Sequence, residues 1–147
     1  MRVYLDNCCY NRPFDPQDQT RVQIETVAKL AVQFMMATGR VEYVWSAMLD
    51  YEISFNPSRK RRETILRWKT NAFEYVAFTE EIRNRAIEIQ QIGVKEKDSF
   101  HIACAEFAGC DWVLTTDDRM VKKAKGKVNV KIGSPVDFIM ENKNENV

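Results

Sequence analysis

Short apolar runs alternate with amphipathic stretches along this chain. Val3, Tyr4 and Leu5 follow one another without a polar interruption, so Arg2–Leu5 is predicted to be a strand buried on both faces. Asp15 followed by Pro16 predicts a helix N-cap with proline at the first helical position. Ile24, Val27, Ala28, Ala31, Phe34 and Met35 then fall on one helical stripe, which Gly39 is expected to end. A second strand is predicted over Val41–Trp45, and Ser46 can cap a helix carrying Met48, Leu49, Glu52, Ile53 and Phe55. Asn56-Pro57-Ser58 breaks that helix. A basic helix is expected from Arg59 to Asn71 and a third strand over Phe73–Phe78. Thr79 caps the next helix, with Glu80 and Glu81 in the first turn, where acids suit the dipole.

Ile92-Gly93-Val94 reads as a loop. Asp98 to Phe107 reads as a helix stopped by Gly109, and Trp112–Thr115 as a fourth strand. Asp117-Asp118 opens a short basic helix ending near Gly126. Val128–Ile132 gives a fifth strand, Ser134-Pro135 starts the last helix, and Glu141 to Val147 is a polar tail expected to fray. Strands alternating with helices predict a three-layer α/β/α domain around a mostly parallel five-stranded sheet. No linker or repeat divides residues 1–147, so one domain is expected.

Composition narrows the classes. An apolar fraction of 45% and a charged fraction of 29% suit a soluble globular protein. No apolar run nears the ~20 residues of a membrane span, and the N-terminus lacks the pattern of a signal peptide, so the cytoplasm is the expected compartment. A net charge of +1 excludes a strongly basic nucleic-acid coat protein. Two local clusters remain: Arg59, Lys60, Arg61 and Arg62, then Arg119, Lys122, Lys123, Lys125 and Lys127. Each reads either as a solvated face or as a set of phosphate contacts. The cysteines at 8, 9, 104 and 110 form no C-x-x-C pair, so they are expected to be reduced packing residues rather than a zinc site.

In open α/β sheets, ligands bind beyond the carboxyl ends of the strands. Asp6 ends the first strand there, and Asp117 follows the fourth. Glu52 lies two turns into the helix after the second strand, and Asp98 opens the helix before the fourth. Asp6 is the hardest to treat as ordinary, because an acid directly after a buried strand needs partners or a raised pKa. Carboxylates drawn together repel one another unless a hard cation such as Mg²⁺ or Mn²⁺ neutralises them. Such a site suits phosphodiester hydrolysis and needs no histidine base.

The pattern resembles the PIN-domain ribonucleases, including VapC-type toxins of toxin–antitoxin systems. "VYLDNCCYNRPFD", "SAMLDYEIS" and "KDSFHIACAEFAGCDWVLTTDD" carry the resemblance, which covers almost the whole chain; the last segment is the most specific. The resemblance implies a Mg²⁺- or Mn²⁺-dependent ribonuclease in which Asp6, Asp98 and Asp117 hold metal and Glu52 completes the catalytic acids. Asp50 sits about 200° from Glu52 round the helix and is badly placed for that role. Thr115 matches the threonine of the T-x-D element, and Asp118 rivals Asp117 as its acid. Family members often follow the first acid with a hydroxyl residue and then asparagine. This chain has Asn7 and Cys8, and Asn7 is the candidate for the polar supporting role. Arg59 to Arg62 with Arg119, Lys122 and Lys123 become candidate RNA contacts. A small antitoxin and a homodimer are the implied protein partners.

His101, three residues after Asp98, reads as a packed or hydrogen-bonded helix histidine, with a metal or catalytic role as the alternative. Trp45 and Trp68 fit a core or subunit contact better than a base-stacking role. A haloacid-dehalogenase-type phosphatase would need an acid at position 8, where the chain has cysteine. A receiver domain would need paired acids near the first strand's end. A catalytically inactive binding module of the same fold is the remaining alternative.

Overall fold

A computed structural model describes residues 1–142. Five parallel strands form one sheet in the order β3-β2-β1-β4-β5: β1 Arg2–Leu5, β2 Glu42–Ser46, β3 Glu74–Val76, β4 Trp112–Leu114 and β5 Lys131–Gly133. Eight α-helices among the described residues connect and flank them: α1 Asn7–Asn11, α2 Thr20–Ala37, α3 Ala47–Ser54, α4 Arg59–Leu66, α5 Glu80–Gln90, α6 Glu96–Phe107, α7 Asp118–Ala124 and α8 Pro135–Asn142. From β1 the chain steps one way to β2 and β3. From β4 it steps the other way to β5. Right-handed crossovers then put α2 and α5–α6 on opposite faces. The packing agrees, with α8 against α2 and α5 against α6. The α/β architecture expected from the sequence is the one observed.

The central strands are apolar because both of their faces are covered. Val3, Tyr4, Leu5, Val44, Trp45, Val113 and Leu114 are all at 0% exposure. The Trp45 ring packs on Tyr10 and its indole N–H donates to Asp50 Oδ1 at 2.9 Å, so Trp45 is a core residue. The first strand has the expected limits, and the other four shift at one end or both by a residue or more. The basic helix becomes 3₁₀ over Arg67–Asn71, and Glu141 and Asn142 belong to α8 rather than to a frayed tail. Residues 143–147 of that tail lie outside the described residues.

Two expectations are corrected. Asp15-Pro16 does not start a helix. Asp15 instead closes a 3₁₀ turn over Arg12–Phe14 and pairs with Arg12 at 3.0 Å, and α2 begins at Thr20 without a side-chain cap. The stripe of α2 is also displaced. Ile24, Val27 and Phe34 are exposed, and so is Ala31, whereas Glu25, Lys29 and Gln33 point inward beside Val22, Ala28 and Val32. Tertiary partners make this tolerable: Glu25 pairs with Arg12 at 3.1 Å and Arg21 at 3.4 Å, and Lys29 Nζ sits 5.6 Å from the Tyr10 ring. Periodicity alone could not choose, since α2 carries apolar residues on both sides.

Candidate active site

The strand order reverses between β1 and β4, so the crevice beyond their carboxyl ends is the topological switch point. Asp6 and the Thr115–Asp117 segment both leave the sheet there. The Asp6 backbone N–H donates to Leu114 O at 3.1 Å, and the Thr115 N–H donates to Gly133 O at 2.9 Å, which locks the two exits side by side.

Asp6 turns immediately into α1 and caps it, its Oδ1 accepting the Cys9 backbone N–H at 3.2 Å. That five-residue helix was not expected from the sequence. It bends the chain back so that Cys8 Sγ donates to the same Oδ1 at 2.6 Å. Burial raises the Asp6 carboxyl well above its usual range, and the Cys8 sulfur adds to this, while His101 and a Thr115 hydrogen bond work against it. The supporting contact expected from Asn7 is made by Cys8. The Asn7 carboxamide oxygen instead accepts from Asn11 Nδ2 at 2.9 Å, and Asn11 in turn accepts from Asn56 at 3.0 Å, linking α1 to the start of α4.

On the β4 side, Thr115 Oγ1 accepts the Asp117 N–H at 3.0 Å and lies 3.5 Å from Cys8 Sγ. Asp117 caps α7 through Oδ1, which accepts from Arg119 N at 2.9 Å. Asp118 turns away and is clasped by Arg21 at 2.6 and 2.7 Å. Asp117 thus lies on the rim, and Asp118 lies in a surface ion pair.

Glu52 is fixed from β1 and α6. His101 Nε2 meets Glu52 Oε1, His101 Nδ1 meets Tyr4 OH, and Tyr4 OH meets Ser46 Oγ at 2.6 Å. Ser46 also caps α3, accepting the Leu49 N–H at 3.2 Å. One buried polar chain thus sets both the start of α3 and the direction of its Glu52. His101 is a buried helix histidine with both ring nitrogens hydrogen-bonded. Asp50 lies outside this arrangement, bound by Trp45, Lys69 and Tyr75.

Glu52, Asp98 and Asp117 line one open cavity of about 650 Å³ with Tyr51, Phe78 and Lys95. Burial raises the Asp98 carboxyl. His101 opposes the rise, and the charges of Asp117 and Glu52 reinforce it. A neighbouring cavity of about 410 Å³ shares Asp98 and Asp117 and adds Arg119, Lys122 and Lys123. A larger cavity of about 860 Å³ lies at the β5 edge around Trp112, Lys131 and Met140, away from this convergence of acids, so size does not mark the candidate site here. Among the described residues, no arginine or lysine ion-pairs with Asp6, Asp98 or Asp117.

The first basic cluster is largely spent on structure. Arg59 pairs with Glu63 at 2.9 Å, Arg61 donates to Phe14 O at 3.1 Å, and Arg62 donates to Asn56 O at 2.5 Å, while Lys60 is exposed.

The PIN domain family model matches residues 3–126. The chain belongs to the PIN domain family. Among solved structures, this PIN domain is similar to VapBC2 from Rickettsia felis, solved bound to a DNA fragment from its promoter. The TM-score is 0.57 at 14% identity, over 90% of this chain and 97% of that one. At that identity the likeness speaks for the fold. No curated protein matches the sequence.

Sequence reasoning missed Cys8 as the partner of Asp6, because it missed α1. The available signal was Asp6 itself, an N-cap residue type two positions before Cys8 and three before Cys9.

Proposed function

We propose that this PIN domain is a metal-dependent endoribonuclease and the toxin of a toxin–antitoxin pair. The observation that carries the reading is the meeting of Glu52, Asp98 and Asp117 on one cavity, with Asp6 at the switch point beside the Thr115–Asp117 exit and, among the described residues, no arginine or lysine ion-paired to the three aspartates. Oxygen donors turned toward one crevice, with Asp6 and Asp98 pushed toward protonation by burial, suit a hard divalent cation. Asp6, Asp98 and Asp117 would hold Mg²⁺ or Mn²⁺, directly or through water. Bound there, the ion would neutralise the scissile phosphate and lower the pKa of a water.

The chain's own residues supply the rest. Glu52, aimed by His101, positions the attacking water and accepts its proton. Thr115 fixes the backbone that presents Asp117. Arg119, Lys122 and Lys123 border the same acids and contact the RNA backbone, while Arg59, Arg61 and Arg62 serve mainly local bonds. Cleavage leaves a 5′-phosphate and a 3′-hydroxyl, by family analogy. The VapBC likeness supports an antitoxin partner that covers the acidic rim, and a homodimer acting in the cytoplasm completes the reading.

The test is a cleavage assay on total RNA with Mn²⁺, with chelator, and with metal restored. Cleavage lost on chelation and recovered with metal is expected from the wild type, and none from Asp6→Asn. Wild-type cleavage by Asp6→Asn would overturn the assignment. No cleavage by a folded, metal-supplied wild type would favour the inactive binding module.

A further inference from the structure

The first turn of α1 gathers a mixed thiol and carboxylate cluster whose sulfurs the nuclease reading does not use. One ligand atom from each of Asp6, Cys8 and Cys9 lies within 4.8 Å of the others. The cap explains the grouping: the Asp6 carboxylate holds the Cys9 N–H, and this winds both cysteines back over the acid. Cys8 Sγ is 2.6 Å from Asp6 Oδ1, and it also accepts the Thr116 backbone N–H at 3.3 Å. Cys9 Sγ donates to Leu114 O at 3.2 Å on the inner side of the same turn. All cysteines of the chain are free thiols.

We propose that Asp6, Cys8 and Cys9 bind a thiophilic divalent cation of the zinc, cadmium or cobalt class, in competition with the hard cation for Asp6. Two sulfurs and one carboxylate oxygen form a donor set that prefers such ions to Mg²⁺. Metal–sulfur distances of about 2.3 Å and metal–oxygen distances of about 2.0–2.2 Å put tetrahedral donors roughly 3.5–3.8 Å apart. The three donors, all within 4.8 Å of one another, reach that spacing by small side-chain movements, the 2.6 Å Asp6–Cys8 contact opening by about 1 Å. Cys9 exchanges its bond to Leu114 O for the ion. Each sulfur coordinates as a thiolate, and any proton it still carries leaves to solvent. Three protein ligands leave a fourth position for water.

This site shares Asp6 with the nuclease reading, but its occupation does not require cleavage. The probe is Co²⁺ titrated into the purified, reduced chain. Saturation at one equivalent with a near-ultraviolet thiolate-to-cobalt charge-transfer band is expected, together with proton release in weakly buffered solution. Cys8→Ser, a nearly isosteric change at a half-buried position, should lose at least half of the band and weaken Co²⁺ binding about tenfold or more. Zn²⁺ should inhibit Mn²⁺-supported RNA cleavage in the wild type and inhibit Cys8→Ser less. Co²⁺ binding without the band, or a band unchanged in Cys8→Ser, overturns the proposal. Cleavage without a band leaves the nuclease reading standing and removes this one. A band without cleavage under any metal does the reverse.

Discussion

His101 on α6 holds Glu52 on α3 through Nε2, while its other ring nitrogen is held by Tyr4 of β1. The only histidine in the chain is therefore placed to aim an acid rather than to act on substrate. His101→Phe keeps the buried volume and removes both bonds. It is expected to lower kcat about 10–100-fold with little change in KM, since misplacing one group by about 1 Å can cost that much. Glu52→Gln should fall at least as far. In the double variant the losses should not add, because the two residues act as one unit. Additive losses would show that His101 serves the fold alone.

Asp6 is a carboxylate held in an unfavourable, buried place. Its folded pKa lies above its unfolded value, so across the interval between them the folded chain binds more protons and stability falls as pH rises. Asp6→Asn removes that cost while keeping an equally good N-cap type. With chelator at pH 7, this variant should melt higher than the wild type, by about 3 °C for each 1 kcal/mol recovered. The gain should shrink as pH falls into the acid range. A lower melting temperature for Asp6→Asn would show that the ionised carboxylate is satisfied without metal.

Lys29 gives a second, independent pH signature. Burial draws its ammonium down to about 8, and no ion pair among the described residues offsets the loss of water. Between about pH 8 and the unfolded value the folded state binds fewer protons, so this group's contribution to stability rises with pH. Lys29→Met should stabilise the chain at pH 7 by on the order of 2–3 kcal/mol, and the gain should fade by pH 10. Urea melts of both proteins at the two pH values measure this. Their difference cancels the tyrosine and cysteine titrations that overlap the range.

The second basic cluster lies against the acids, and the first is mostly tied up in local bonds. Replacing Arg119, Lys122 and Lys123 together by alanine should raise KM for RNA about tenfold or more. It should also flatten the salt dependence of binding by about 0.7 in log–log slope for each phosphate no longer neutralised. The same treatment of Arg61 and Arg62 should show mainly as a lower melting temperature. If the Arg61 and Arg62 variant instead carried the KM effect, the RNA path would run over α4.

The alternation of strands and helices, and with it the α/β class, is written in the residue order. Local signals suffice for this: apolar runs for strands, and caps such as Ser46, Thr79 and Asp117 for helices. Residue order also marks which acids follow strands, because Asp6 directly ends one apolar run and Asp117 follows another after two threonines. It does not say which way α2 faces, since Ile24, Val27 and Phe34 form as good a stripe as the buried one. That choice rests on Arg12 and Tyr10, which reach Glu25 and Lys29 only after the chain has folded. Nor does it say that Asp118 is taken by Arg21, that Cys8 rather than Asn7 turns onto Asp6, or that His101 aims Glu52. Two of these contacts join residues 49 and 97 positions apart, and the third depends on a five-residue helix too short to show any period. With α1 as the exception, hydrophobic pattern and caps fix which helices and strands form. Side-chain pairing across the switch point decides which of their polar residues meet.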